Sequence, residues 1–212
     1  MKKLFSLLSN RADLSIIASW IESGKTVLDL GCGDGSLLDY LIKNKQIKGT
    51  GVEIDVERML LCTKKGIPVI QYDLNGLFPF IEDNSFDYVI LSQTLQELNR
   101  PDKVIDEITR ISKYAILSFP NFGNYKIRFN LLFKGRMPKS KVLPYSWYDT
   151  PNIHLLTYLD FKDYCKKKDY KIVKTFFIKN NKLKKWLFLP NWSSDACVVM
   201  ITKNGNNYEK RE

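Results

Sequence analysis

The stretch VLDLGCGDGSLL, residues 27–38, constrains this chain more than any other. A β-rich run ends at Leu30, meets Gly31, Gly33 and Gly35, and passes at once into helical spacing from Ser36. Glycines so spaced let the backbone turn tightly and present bare N–H groups, at the positive end of a helix, to a polar or anionic ligand. Such a junction belongs to open, doubly wound α/β sheets. The first half keeps that rhythm: strand signals over 26–30, 50–54, 67–72, 86–91 and 114–119 alternate with helical spacing over 36–43, 56–65 and 101–111. The βαβ crossovers this implies require a mostly parallel sheet covered on both faces. A helix over 158–168 and apolar runs at 170–178 and 196–202 follow, with no helical pattern between the runs. They predict an antiparallel pair that closes a seven-stranded sheet.

From about 120 to 154 the rhythm stops, and this segment reads as an insertion after strand five. Within it, Tyr125, Phe129, Leu132 and Phe133 fall on one face of a short helix ended by Gly135, with Lys126, Arg128 and Lys134 opposite. The remainder reads as a single domain over 1–204 and a frayed tail over 205–212, since 44% apolar and 26% charged residues suffice for a core. The apolar stretch near the start, LFSLL, is too short for a signal peptide or a membrane span, and no CxxC or metal-ligand spacing occurs among the four cysteines. A cytoplasmic chain with reduced thiols, no metal and no membrane association is expected.

The net charge of +10 is unevenly placed. Residues 1–120 hold 14 Lys and Arg against 16 Asp and Glu, whereas the remaining 92 residues hold 19 against 7, a net of +12. This excess reads either as surface solvation, as for Lys166, Lys167 and Lys168 on a helix's wet face, or as a surface for an anionic substrate, an acidic partner or nucleic acid.

Glu53 closes the second strand 22 residues after Gly31, and Asp73 closes the third. A carboxylate at the end of strand two accepts both hydroxyls of a ribose, a spacing shared with nicotinamide cofactors. Three details favour S-adenosylmethionine or its product S-adenosylhomocysteine. The glycine pattern is GxGxG rather than GxGxxG; Asp29 adds a carboxylate suited to a cationic amino-acid tail; and Asp73 with Leu74 offers an adenine acceptor plus a backbone donor. The candidate cofactor residues are therefore Asp29, Gly31, Cys32, Gly33, Gly35, Glu53, Ile54, Asp73, Leu74 and Ser92. Asp55 fits better as a helix cap. After strand four stands SQTL, not the Asn or Asp followed by Pro-Pro-aromatic that grips a flipped base, which argues against nucleic acid. His154, the one histidine, is the candidate catalytic base, with a ring hydrogen-bonded to backbone as the alternative. Tyr148, Asp149 and Asn152 read as pocket residues or as a turn cluster, and the aromatics Tyr145, Trp147 and Tyr148 as packing rather than a cofactor box.

Together VLDLGCGDG, GVEID, SFDYVILSQTLQ, SFPNFGNYKIRFNLLFKGRMP and LPYSWYDTPNIHLLT resemble the MetW family of methionine biosynthesis proteins, from about Arg11 to Thr202. The resemblance implies a class I methyltransferase fold and a role supporting or activating homoserine O-acyltransferase. It supplies no methyl acceptor and leaves catalysis open. Asn124 stands where a bulkier ring such as His is expected, and YDLN follows strand three. Two other readings stand beside it: an active methyltransferase on a small molecule, with the insertion as a lid, and an RNA-binding methyltransferase. Tyr125, Lys126, Arg128, Arg136, Trp147, Tyr148 and Asn152 are the candidate partner or substrate surface.

Overall fold

Thr26–Leu30 (β1) lies at the centre of a sheet, because its apolar run serves both faces: Val27 packs on one side and Leu28 on the other. Fully buried parallel strands read as continuous apolar runs for this reason. A computed structural model describes residues 11–76, 78–140, 143–184 and 188–204. The other strands are Lys48–Glu53 (β2), Val69–Gln71 (β3), Phe86–Ser92 (β4), Ser112–Pro120 (β5), Tyr170–Lys179 (β6), Lys182–Lys184 (β7) and Ala196–Lys203 (β8). They form one sheet in the order β3-β2-β1-β4-β5-β8-β6-β7. The strands β1 to β5 pair in parallel, and β8 runs antiparallel to both β5 and β6. The expected mostly parallel sheet with an antiparallel C-terminal pair is thus observed. The three-residue β7 adds an eighth, edge strand through a turn in which Asn180 and Asn181 both have positive φ, the conformation a tight hairpin needs.

Helices cover both faces. Ala12–Trp20 (α1) and Ser36–Lys45 (α2) pack Ile16, Ile17, Leu38 and Leu41 against Val27, Ile90, Ile116 and Val198. Pro101–Ile111 (α4) and Tyr158–Lys167 (α6) bury Val104, Ile108, Phe161 and Cys165 against Leu28, Leu91, Leu117 and Val199. Val56–Lys64 (α3) is capped as expected: the Asp55 carboxylate accepts from the N–H groups of Glu57 and Arg58. The first helix was not foreseen, although Ile16, Ile17, Trp20 and Ile21 have the spacing of a buried face.

In the insertion, Asn124 caps Tyr125–Lys134 (α5) by accepting from Lys126 N–H at 2.8 Å, and Gly135 ends it at φ +58°. The expected apolar face exists but is turned outward. Ile127 is the buried residue of this helix, whereas Leu132 and Phe133 are 72% and 76% exposed. A short helix, Pro190–Ser193 (α7), packs beside it. No helix among the described residues is long and apolar enough to cross a membrane. The readings of the LFSLL stretch and of the tail at 205–212 lie outside the described residues.

Candidate functional site

The strand order reverses between β1 and β4, and at such a switch point the loops at the strands' carboxyl ends diverge and leave a crevice. Here that crevice is an open cleft of about 1470 Å³. Its inner wall is the loop from β1 to α2, where Gly31, Gly33 and Gly35 take φ of +72°, +59° and +73°, which side chains with a Cβ adopt at a cost. A Cβ on Gly35 would lie 2.7 Å from Ile67 Cδ1 and 2.9 Å from Cys62 Sγ, whereas one on Gly33 would meet nothing within 4 Å. Gly33 lines the cleft and Gly35 holds the turn. Gly35→Ala is expected to cost about 1 to 3 kcal/mol through strain and overpacking. Chemical denaturation of the variant checks this, and an unchanged midpoint would show that the loop can relax.

Most of the loop's N–H groups are engaged within the protein, where the sequence led us to expect them bare. Those of Gly31 and Cys32 donate to the Val52 carbonyl, that of Gly35 to the Cys32 carbonyl, and that of Ser36 to the Asp34 carboxylate. Gly33 N–H donates to Glu53 Oε2 at 2.8 Å, and Glu53 Oε1 accepts from Ile54 N–H at 2.9 Å and Asp55 N–H at 3.1 Å. Three backbone donors therefore fix this carboxylate at the mouth of the loop. Such an arrangement offers acceptors to a ligand, not an anion cradle.

Beneath it, Asp29 is 3% exposed. Burial pushes its carboxyl up to about 7, Arg11 pulls it back, and Glu53 adds to the rise. Arg11 binds both oxygens of Asp13 at 2.9 and 2.8 Å and the Ser92 hydroxyl at 2.9 Å. Ser92 and Ser118 each donate to the same Asp13 oxygen. Asp13 sits below the usual carboxylate range: burial would raise it, but the bonds from Arg11 and the two serines outweigh that. Ser92 thus faces the cleft with its hydroxyl engaged by protein.

The structure separates the remaining candidates. Ile54 and Asp73 line the cleft, and one Asp73 oxygen is held by Asn75. Leu74 buries its side chain, which leaves only its backbone for a ligand. Cys32 lines the cleft, and its thiol packs 3.9 Å from Cys62 Sγ, where burial raises its pKa and a Cβ on Gly51 would come within 2.5 Å of it. His154 is a correction. It is not among the lining residues; its backbone N–H donates to the Gln96 carbonyl at 3.0 Å, and its ring Nε2 is buried without a described partner. Lys126 and Asn152 line the outer cleft, while Tyr125, Arg128, Arg136, Trp147 and Tyr148 do not. Trp147 and Tyr148 pack edge to face with centroids 5.6 Å apart on the outer surface.

Three residues of the site escaped the sequence reading. Arg11 and Asp13 come from the helix that was not foreseen. Gln96 is 3% exposed and lines the cleft with Oε1 unpartnered among the described residues, while its Nε2 donates to the Gln93 carbonyl. Gln93 itself stands at φ +57°, strain of the kind that concentrates at functional sites.

The model of the family "Methionine biosynthesis protein MetW" matches residues 11–201. The chain belongs to the MetW family. A bifunctional methionine biosynthesis protein MetXA/MetW of Rhodopirellula baltica is 38% identical over 160 residues, which cover 71% of this chain and 26% of that protein. The chain thus spans about a quarter of that relative's length. Among solved structures, a SAM-dependent methyltransferase of Thermotoga maritima, described as a possible histamine N-methyltransferase, superposes with a TM-score of 0.64 at 20% identity, over 95% of this chain and 93% of that one. The [4+2]-cyclase SpnF superposes with a TM-score of 0.65 at 15% identity, over 92% and 81%. This MetW-family chain therefore has the class I methyltransferase fold, a fold that by itself does not set the reaction.

Proposed function

We propose that this MetW-family protein binds S-adenosylmethionine or S-adenosylhomocysteine in the cleft and supports homoserine O-acyltransferase in methionine biosynthesis. The observation that carries the ligand assignment is the spent loop. With the Gly33 N–H committed to Glu53 and two carboxylates facing the same mouth, the site would repel a pyrophosphate and suits a cationic ligand with hydroxyls. Glu53 would accept the ribose hydroxyls and Asp29 the ammonium. Arg11, whose Nη1 makes no bond to a described residue, would take the carboxylate. Ile54 would pack on the adenine, with Asp73 and the Leu74 backbone at its edge. Gly31 and Gly33 would admit the ligand close to the backbone, and Ser92 would act by holding Arg11 and Asp13 in place.

S-adenosylmethionine carries a sulfonium whose methyl group is open to in-line displacement, so alignment is the main demand on a protein that uses it. The acyltransferase role is supported by the family membership and by the relative named MetXA/MetW. A second reading, methyl transfer to a small molecule, is favoured by the continuation of the cleft past Asn124, Lys126, Tyr145 and Asn152, which leaves room for an acceptor. Titration calorimetry with both adenosyl ligands, then copurification with the host's homoserine O-acyltransferase, tests the proposal. Micromolar binding and a stable complex are expected. No heat at millimolar ligand would overturn the first part, and labelled methyl appearing in a metabolite extract would move the protein to the second reading.

A further inference from the structure

Two stretches of the chain contain no carboxylate: 121–148, with six Lys and Arg, and 170–194, with six Lys. The fold brings them together. The Tyr125 ring of α5 stacks on Trp192 of α7, with centroids 6.3 Å apart and planes 23° apart, and Phe129 meets the same indole edge-on at 5.7 Å. Between these helices runs a groove of about 360 Å³ lined by Tyr125, Lys179, Phe188, Leu189, Trp192 and Ser193. It shares no lining residue with the cleft, and Lys126 stands between the two. Phe188 at its lip is 88% exposed, and Leu189 is held at φ +48°, an uncommon conformation for a branched residue directly before proline.

The rim is cationic and uncompensated. The ammonium groups of Lys126 and Lys179 sit 5.9 and 6.0 Å from the Tyr125 centroid, and the Arg128 guanidinium lies 5.1 Å from that of Trp192. None of the three forms an ion pair with a described carboxylate. Aromatic anchors around a pocket, with Arg at the edge, are the composition of protein interface hot spots.

We infer that this groove docks a protein partner, seating an apolar side chain between Tyr125, Leu189 and Trp192 and pairing the partner's carboxylates with Lys126, Arg128 and Lys179. Tyr125 and Phe129 each commit one ring face to a neighbour, Trp192 and Phe133, which disfavours a stacking platform for nucleotide bases. Concavity fits a side chain better than it fits a lipid surface. Taking the partner to be the homoserine O-acyltransferase rests on the function proposed above.

The test uses the full chain and the purified acyltransferase of the same organism. Phe188→Glu combined with Lys179→Glu should weaken the complex roughly 30-fold or more. The control Lys166→Glu with Lys167→Gln, an equal reduction of net charge by three on the exposed face of α6, should change it less than about 3-fold. Thermal melting and adenosylmethionine titration of each variant confirm that the fold and cleft are intact, and Lys179→Glu alone serves as a milder groove variant should the double variant unfold. Complex formation that survives the groove changes, or that falls equally in the control, overturns the docking face and leaves the proposed function standing. No complex with the unmodified chain overturns both. Binding of oligouridine or of phosphatidylserine vesicles that the groove variants abolish, at affinity equal to or above that for the acyltransferase, reassigns the face and overturns the inference.

Discussion

Glu53→Ala is expected to weaken S-adenosylmethionine binding by about 2 to 4 kcal/mol, roughly 30- to 1000-fold, because a carboxylate already oriented by three backbone N–H groups is lost from a nearly buried position. The same change leaves the N–H groups of Gly33, Ile54 and Asp55 without their acceptor, so the empty protein should also lose stability. Calorimetry measures the first effect and thermal melting without ligand the second. Asp55→Ala separates the two roles of acidic residues at this corner: Asp55 caps α3, and its loss should cost about 1 kcal/mol of stability with little change in affinity. Equal affinity losses in the two variants would show that the ribose lies against the wrong carboxylate.

Asp29→Asn should abolish most ligand affinity and yet stabilise the empty protein above neutral pH. The buried carboxyl, pushed up to about 7, keeps its proton between about pH 4 and 7, where the unfolded chain has released it. The native state therefore binds more protons than the unfolded state across that window, and stability falls as pH rises. This contribution is fully present below the unfolded pKa and is gone above about 7. The asparagine variant lacks that loss, so at pH 8 it should exceed the unmodified protein by on the order of 2 kcal/mol, and at pH 4 by little. Ligand binding has the opposite sign. An ammonium group needs the ionised carboxylate, so affinity of the unmodified protein should climb through pH 7 and flatten above it, while the variant binds weakly throughout. Melting curves and titrations at pH 5, 7 and 8 check both halves. A destabilised variant at pH 8, or a flat affinity profile for the unmodified protein, would sink the argument.

Much of the site was legible because it is local. The run into Gly31, the helix after Ser36, the carboxylate ending β2 and the cap at Asp55 each depend on neighbours a few residues away, and side-chain periodicity and backbone sterics act at that range. The fold class followed from the same signals, since apolar runs interleaved with amphipathic helices admit few topologies. Arg11 was not legible: its bond to Ser92 spans 81 residues, and nothing in RADLS marks the arginine as part of a buried network. The packing of the Cys32 thiol was not legible either, because a loop residue's outward or inward turn depends on what lies behind it, here Gly51 and Cys62.

By itself, the sequence determined most of the strands and helices, where the glycine loop must turn, and which strand ends carry carboxylates, all consequences of local sterics and spacing. Tertiary structure decided direction and company. It spent the loop's N–H groups on Val52 and Glu53, drew His154 behind Gln96, and turned the apolar face of α5 outward against Trp192. Each outcome depends on partners far off in the chain. The spacing of the α5 apolar residues shows that they share a face, and only the packed neighbours determine what that face meets.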